Sequence, residues 1–155
     1  MMMRSMVRVL IGSLVLSLML TSHTAVAAEK ADDEETERAK LAGAWKGFVV
    51  EGKGETPDRG PVKLEITVTK KTMRGIQIKD DEHVDHGEGE YLLNLASEPA
   101  RLDAAKSVGR GRKQAYLGIY KLEGNTLRWC VSPQKARPET FETKKGQFLL
   151  VLRRQ

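Results

Sequence analysis

The sequence predicts an all-β domain, a small antiparallel barrel of eight or nine short strands with one short helix at its N-terminal end. Three observations carry that reading. In the stretch Ala115 to Val131, Leu117 and Ile119 alternate with Gly118 and Tyr120, Glu123-Gly124-Asn125 turns, and Leu127, Trp129 and Val131 alternate with Arg128 and Cys130. Two period-2 runs about a short Gly/Asn turn make an antiparallel hairpin. Val62, Leu64, Ile66 and Val68 alternate with Lys63, Glu65, Thr67 and Thr69, the pattern of a strand buried on one face. Similar runs recur between turn signals, with almost no helical period and no internal repeat. Sequential antiparallel pairing around an apolar inner face closes into a barrel and removes the edges that invite aggregation; a two-sheet sandwich is the alternative.

Taken in order, the chain opens on a leader over residues 1–28. Arg4 and Arg8 precede an apolar run, Val9 to Leu20, and Ala25-Val26-Ala27 forms a small-residue cleavage site. These are the parts of a secretory signal peptide, with cleavage expected after Ala27 or Ala28; the apolar run is short for a membrane span. An uncleaved anchor is the competing interpretation. Residues 29–33 are expected to be a flexible start, and residues 34–155 a single domain. Asp32 and Glu35 have capping-box spacing and Glu34 stands four residues before Arg38, which predicts a short helix from about Asp33 to Ala42.

Gly43-Ala44-Trp45 begins a strand running to Val50, and the Gly/Pro/Asp-rich Glu51 to Gly60 reads as a loop. After the Val62 strand, Lys70-Lys71 reverses the chain into Met73 to Ile78. Asp80 to Gly89 reads as a polar connection and Glu90 to Ala96 as a strand. Ser97-Glu98-Pro99 turns, Arg101 to Ala105 is a short strand, and Lys106 to Lys113 is a basic loop before the hairpin. Ser132 to Pro138 is a loop, Thr140 to Thr143 is expected to pair briefly, and Gln147 to Arg153 closes the sheet.

Composition narrows the functional classes. Without Arg4 and Arg8 the chain carries 24 basic against 21 acidic side chains, so its basic character is near balance rather than a binding face. Two Trp, three Tyr and three Phe do not interleave with basic clusters, which argues against nucleic acid as a partner. After cleavage no stable membrane span is expected. Cys130 is the sole cysteine, so no internal disulfide forms. A small, partly buried strand residue is the ordinary reading of it; a nucleophile or an intermolecular bridge is the other.

Leu41-Ala42-Gly43-Ala44-Trp45-Lys46, the run Gly118-Ile119-Tyr120 to Cys130, and Arg137-Pro138-Glu139-Thr140-Phe141 together resemble the uncharacterised lipocalin-like domain family expanded in planctomycete bacteria. The resemblance covers about Glu34 to Arg153 and implies a lipocalin-like barrel, with no established activity. Gly118 and Tyr120 match the family's Gly-Ile-Tyr strand, Gly124 and Asn125 its Gly-centred turn, and Arg137-Pro138 its Arg-Pro pair. Asn125 stands where Asp is common, and Trp129 is larger than the usual aliphatic residue. Gly43-x-Trp45 also resembles the Gly-x-Trp motif of lipocalins. That resemblance implies a Trp45 plug at one end of the barrel, a close backbone approach at Gly43, and a cation–π cover from Arg153 or Arg154.

No catalytic constellation emerges, and no cofactor or metal site is assigned. His83 and His86, with Asp85 and Glu88, form the densest group of possible metal ligands, but their spacing fits no specific motif and a solvated acidic loop is the simpler reading. Lys106, Arg110, Arg112 and Lys113 could gather an anion, though without the ending of a P-loop. The expected role is binding of a small apolar or amphipathic molecule inside the barrel. Leu64, Ile66, Val68, Ile76, Ile78, Leu93, Leu117, Ile119 and Phe148 are its candidate lining or core residues. A filled barrel serving as a cell-envelope interaction or structural module is the rival, and a hydrolase built on His83 and His86 a weaker third.

Overall fold

Each β-strand of the chain pairs antiparallel with the next, and the last returns to the first. The computed structural model describes residues 22–51, 62–79, 81–133 and 136–155. After helix α1 (Ser22–Leu41) come β1 (Gly43–Glu51), β2 (Lys63–Val68), β3 (Thr72–Lys79), β4 (Glu82–Asn94), β5 (Arg101–Ser107), β6 (Lys113–Glu123), β7 (Thr126–Ser132) and β8 (Phe148–Arg154). The eight strands form a closed barrel in sequence order, β8 pairing β1 with Trp45 opposite Arg154 and Val50 opposite Leu149. The barrel expectation holds and the sandwich is set aside. Most of the expected leader, and the loop expected after Glu51, lie outside the described residues. Among the described residues no helix is long and apolar enough to cross a membrane.

Several expectations are corrected. Helix α1 starts well before Asp33 and includes residues 29–33, because Ala27, Ala28 and Ala31 extend helix-favouring sequence upstream. Within the expected polar connection Asp80 to Gly89, the residues from Glu82 onward belong to strand β4. Thr140 to Thr143 lies in no strand. The predicted hairpin does form. Glu123 pairs with Thr126 across the two-residue turn Gly124-Asn125, and only Gly124 has positive φ (58°), the II′ arrangement that wants glycine first.

The inner face is also partly reassigned. Leu64, Ile66, Val68, Leu93 and Phe148 belong to the interior as expected, with Leu127, Trp129 and Val131 of β7. On β6, however, Tyr116 and Tyr120 face inward, so Leu117 and Ile119 lie on the outer face. Ile119 joins Val50, Cys130 and Leu149 in a second buried cluster, outside the wall, against which Phe141 packs. On β3, Met73, Gly75 and Gln77 face the interior, which sends Ile76 and Ile78 outward.

One end of the barrel is sealed. Trp45 is fully buried, its indole N–H donates to the Leu41 carbonyl at 2.8 Å, and the Arg154 guanidinium lies over its ring at 4.3 Å from the centroid. Arg154 therefore supplies the cover; Arg153 is exposed and pairs across from Lys46. Arg154 also donates to the carbonyls of Ala42 (2.7 Å) and Lys40, tying the end of α1 to β8. Gly43 is required there by its φ of +139°, and a Cβ would also lie 2.8 Å from the Arg154 guanidinium, which would have to shift. The last turns of α1 complete the seal. Arg38 stacks on Tyr91 at 4.6 Å and bonds Glu34, while Tyr120 Oη donates to Glu37 at 3.1 Å. Burial first, and the Glu37 carboxylate second, hold the Tyr120 phenol far above its ordinary pKa, so it stays a donor.

Truncating the plug is expected to be costly. Trp45→Ala should lower stability by about 3–5 kcal/mol and Gly43→Ala by about 1–3 kcal/mol, both read as reduced urea midpoints. An unchanged midpoint for Trp45→Ala would show that the seal lies elsewhere.

Candidate ligand-binding site

Opposite the plug, the barrel keeps an internal cavity of about 320 Å³. Its depth is apolar, formed by Leu64 and Ile66 of β2, Met73 of β3, Trp129 and Val131 of β7 and Leu150 of β8. Trp129 makes the floor, and its place is built by the strand beside it. A Cβ on Gly118 would fall 2.2 Å from the indole nitrogen, so only glycine lets the ring pass and donate to the Leu102 carbonyl at 3.0 Å. Side chains also replace ladder bonds here: Asp103 accepts from the Gly118 N–H at 3.1 Å, and Arg137 donates to the Gly118 carbonyl at 2.8 Å. Arg137 and Asp103 form a bidentate pair (Nη2 to Oδ2, 2.7 Å), and the adjoining Pro138 is fully buried. The Gly-Ile-Tyr and Arg-Pro segments are thus two sides of one structural clamp.

The cavity's polar lining is Gln77 of β3, His86 of β4 and Lys106 of β5. A β-bulge aims His86. The β3–β4 register runs from Arg74 opposite Glu88 to Ile76 opposite Asp85, leaving His86 and Gly87 against the single residue Gly75. Such an extra residue bends the strand and redirects a side chain. Gly87 supplies the positive φ of 81°, and Asp85 Oδ1 accepts its N–H at 2.8 Å. Asp85 also binds Arg74 through both carboxylate oxygens, which fixes the bulge against β3. His86 Nε2 lies 3.0 Å from Gln77 Oε1. Three residues after His86, Gly89 lets β4 and β5 close together, since a Cβ there would sit 1.4 Å from the Ala105 carbonyl oxygen.

The Lys106 ammonium rests over the Tyr116 ring, 5.7 Å from its centroid. Burial and then Lys106 lower the His86 pKa from 6.5, while Asp85 acts the other way. The unfolded chain thus binds this proton more readily, and folding loses stability as pH falls from about 6.5 towards the depressed value.

The residues singled out from sequence divide by role. Gly43 and Trp45 meet Arg154 at the sealed end, and Gly124 and Asn125 turn the hairpin there, the Asn125 carbonyl accepting from the Arg154 backbone N–H at 2.9 Å. Gly118 and Tyr120 serve the floor and the helix contact. His83 does not join His86: it is exposed, opposite Ile78, and no group of three potential metal ligands exists among the described residues. Of the basic loop, Lys106 alone reaches the cavity, from the end of β5; Arg110, Arg112 and Lys113 are exposed. Cys130 is completely buried on the outer face, and that burial pushes its thiol up to about 11. Gln77, Tyr116 and the inward turn of His86 escaped the sequence reading; Asp85-His86-Gly87, an Asx residue before a glycine, was the available sign of a bulge.

No family model, curated protein or solved structure matches the chain.

Two measurements follow. Cys130 should resist a water-soluble thiol reagent in native protein and react fully in urea; comparable rates in both would contradict the outer cluster. Between pH 8 and pH 5 the urea midpoint should fall further in the native sequence than in His86→Gln, and equal falls would remove His86 as the titrating group.

Proposed function

We propose that this protein is an exported, lipocalin-like carrier or sensor that binds a small apolar or amphipathic molecule inside its barrel. The carrying observation is the blind cavity of about 320 Å³, apolar in depth and ringed on one side by polar groups. Small-molecule sites have this composition, and volumes of about 300 Å³ and above are typical of them. Binding would be reversible burial, worth about 0.8 kcal/mol for each methylene removed from water. No bond-breaking step is invoked. The plug at Trp45 supports the reading, because a cavity closed at one end excludes bulk water from the ligand's tail. The leader pattern over residues 1–28 supports action outside the cytoplasm, in the periplasm or beyond. The void also favours ligand binding over an interaction module with a filled interior.

The neutral apolar dye N-phenyl-1-naphthylamine tests this directly. Its fluorescence should rise on mixing with the protein and saturate at one equivalent. Ala104→Trp, which places a large side chain in the void, should weaken uptake about tenfold or more while leaving the protein folded. Uptake unaffected by that substitution would locate the dye elsewhere, and no uptake would count against the cavity as a site.

A further inference from the structure

The polar groups of the cavity share one arc of its rim, and we infer that they select an amphipathic ligand with an anionic head. The head would sit between the Lys106 ammonium and the His86 imidazole, the alkyl tail against Ile66, Met73 and Trp129. This rests on the cavity being a binding site, and adds the head group it takes.

Four features converge on a negative charge. Lys106 stands at the end of β5 with an aromatic ring as its neighbour, 5.7 Å to the Tyr116 centroid, a contact that a carboxylate outcompetes. His86 is turned inward by a bulge and its ring is held through Nε2 by Gln77 at 3.0 Å, so the imidazole is positioned before any ligand arrives and protonation makes its other nitrogen a donor. The nearest carboxylate, Asp85, is already engaged by Arg74 and by the Gly87 N–H, which limits its repulsion of an incoming anion. Glu88, further along β4, accepts from the Thr72 hydroxyl.

The fourth feature is electrostatic. Lys106 disfavours a proton on His86, with Asp85 opposing it. An anion placed between the two nitrogen groups reverses that balance: it neutralises Lys106 and stabilises the imidazolium. Anion binding and proton uptake at His86 are then coupled, and by linkage the affinity for an anion rises as pH falls through the His86 titration. Arg74, exposed on the other face of β3, keeps its charge throughout but is paired with Asp85, so it leaves Lys106 as the cation that acts on His86.

The test displaces N-phenyl-1-naphthylamine from the full chain with decanoate, decan-1-ol and decylamine, three probes sharing one tail. Decanoate should bind about tenfold or more tightly than decan-1-ol, the worth of one charge-assisted contact at a half-exposed site, with decylamine weakest. Lys106→Met should abolish the preference, bringing decanoate down to the affinity of decan-1-ol measured in the same variant. Saturating decanoate should also raise the His86 pKa, followed by NMR of its ring protons, whereas decan-1-ol should not. Equal displacement by decanoate and decan-1-ol, or tightest binding of decylamine, overturns the anionic head while the apolar site stands. Failure of the dye and all three probes to bind overturns both.

Discussion

The contact between Trp45 and its two partners, the Leu41 carbonyl below and the Arg154 guanidinium above, holds the rest of the structure in place. A closed barrel of eight strands has two mouths, and an interior open at both would be a wet tube with little apolar surface hidden. Trp45 closes one of them using the first strand, the last strand and the end of the helix together. Because β1 and β8 are neighbours, the same contact also fastens the seam at which the sheet joins itself. Gly43 is what lets these three elements meet, since the chain passes from helix to strand there through a φ of +139° that a residue with a side chain rarely adopts.

Much of this architecture was legible in the sequence. Period-2 runs located most of the strands, and Gly124-Asn125 located the hairpin, with Glu123, read as part of the turn, instead closing β6. The choice of inner face was legible only where the outer face is polar. In β2 the outward residues are Lys63, Glu65 and Thr67, and the assignment was unambiguous. In β6 both faces are apolar, because Ile119 is buried from outside by the segment before β8, and alternation alone could not separate Ile119 from Tyr120. The choice between Arg153 and Arg154 had the same character: it depends on strand register, which puts Arg154 opposite Trp45 and on its side of the sheet.

The candidate site was less legible, for a physical reason. Its polar groups owe their positions to an irregularity, and an irregularity has no period. Asp80 to Gly89 is rich in charge and glycine, which ordinarily marks a solvated loop. Here one glycine serves the bulge and another the close passage of two strands, while the acidic residues face water or pair with Arg74 and Thr72. The residues that line the mouth come from β3, β4 and β5, and nothing in their spacing announces that they meet.

The cluster around Cys130 divides the barrel unequally. On the side of β1, β6, β7 and β8 the sheet has packed side chains on both surfaces, with Phe141 and the Arg137 clamp laid across the outside. On the side of β2 to β4 it has a single skin whose outer surface meets solvent, and this is also where the bulge interrupts the ladder. A container built with one reinforced flank and one thin flank yields on the thin one. Local opening of the wall therefore falls to the strands that carry His86 and Gln77, where a few hydrogen bonds at the bulge stand in for packing on the outer surface.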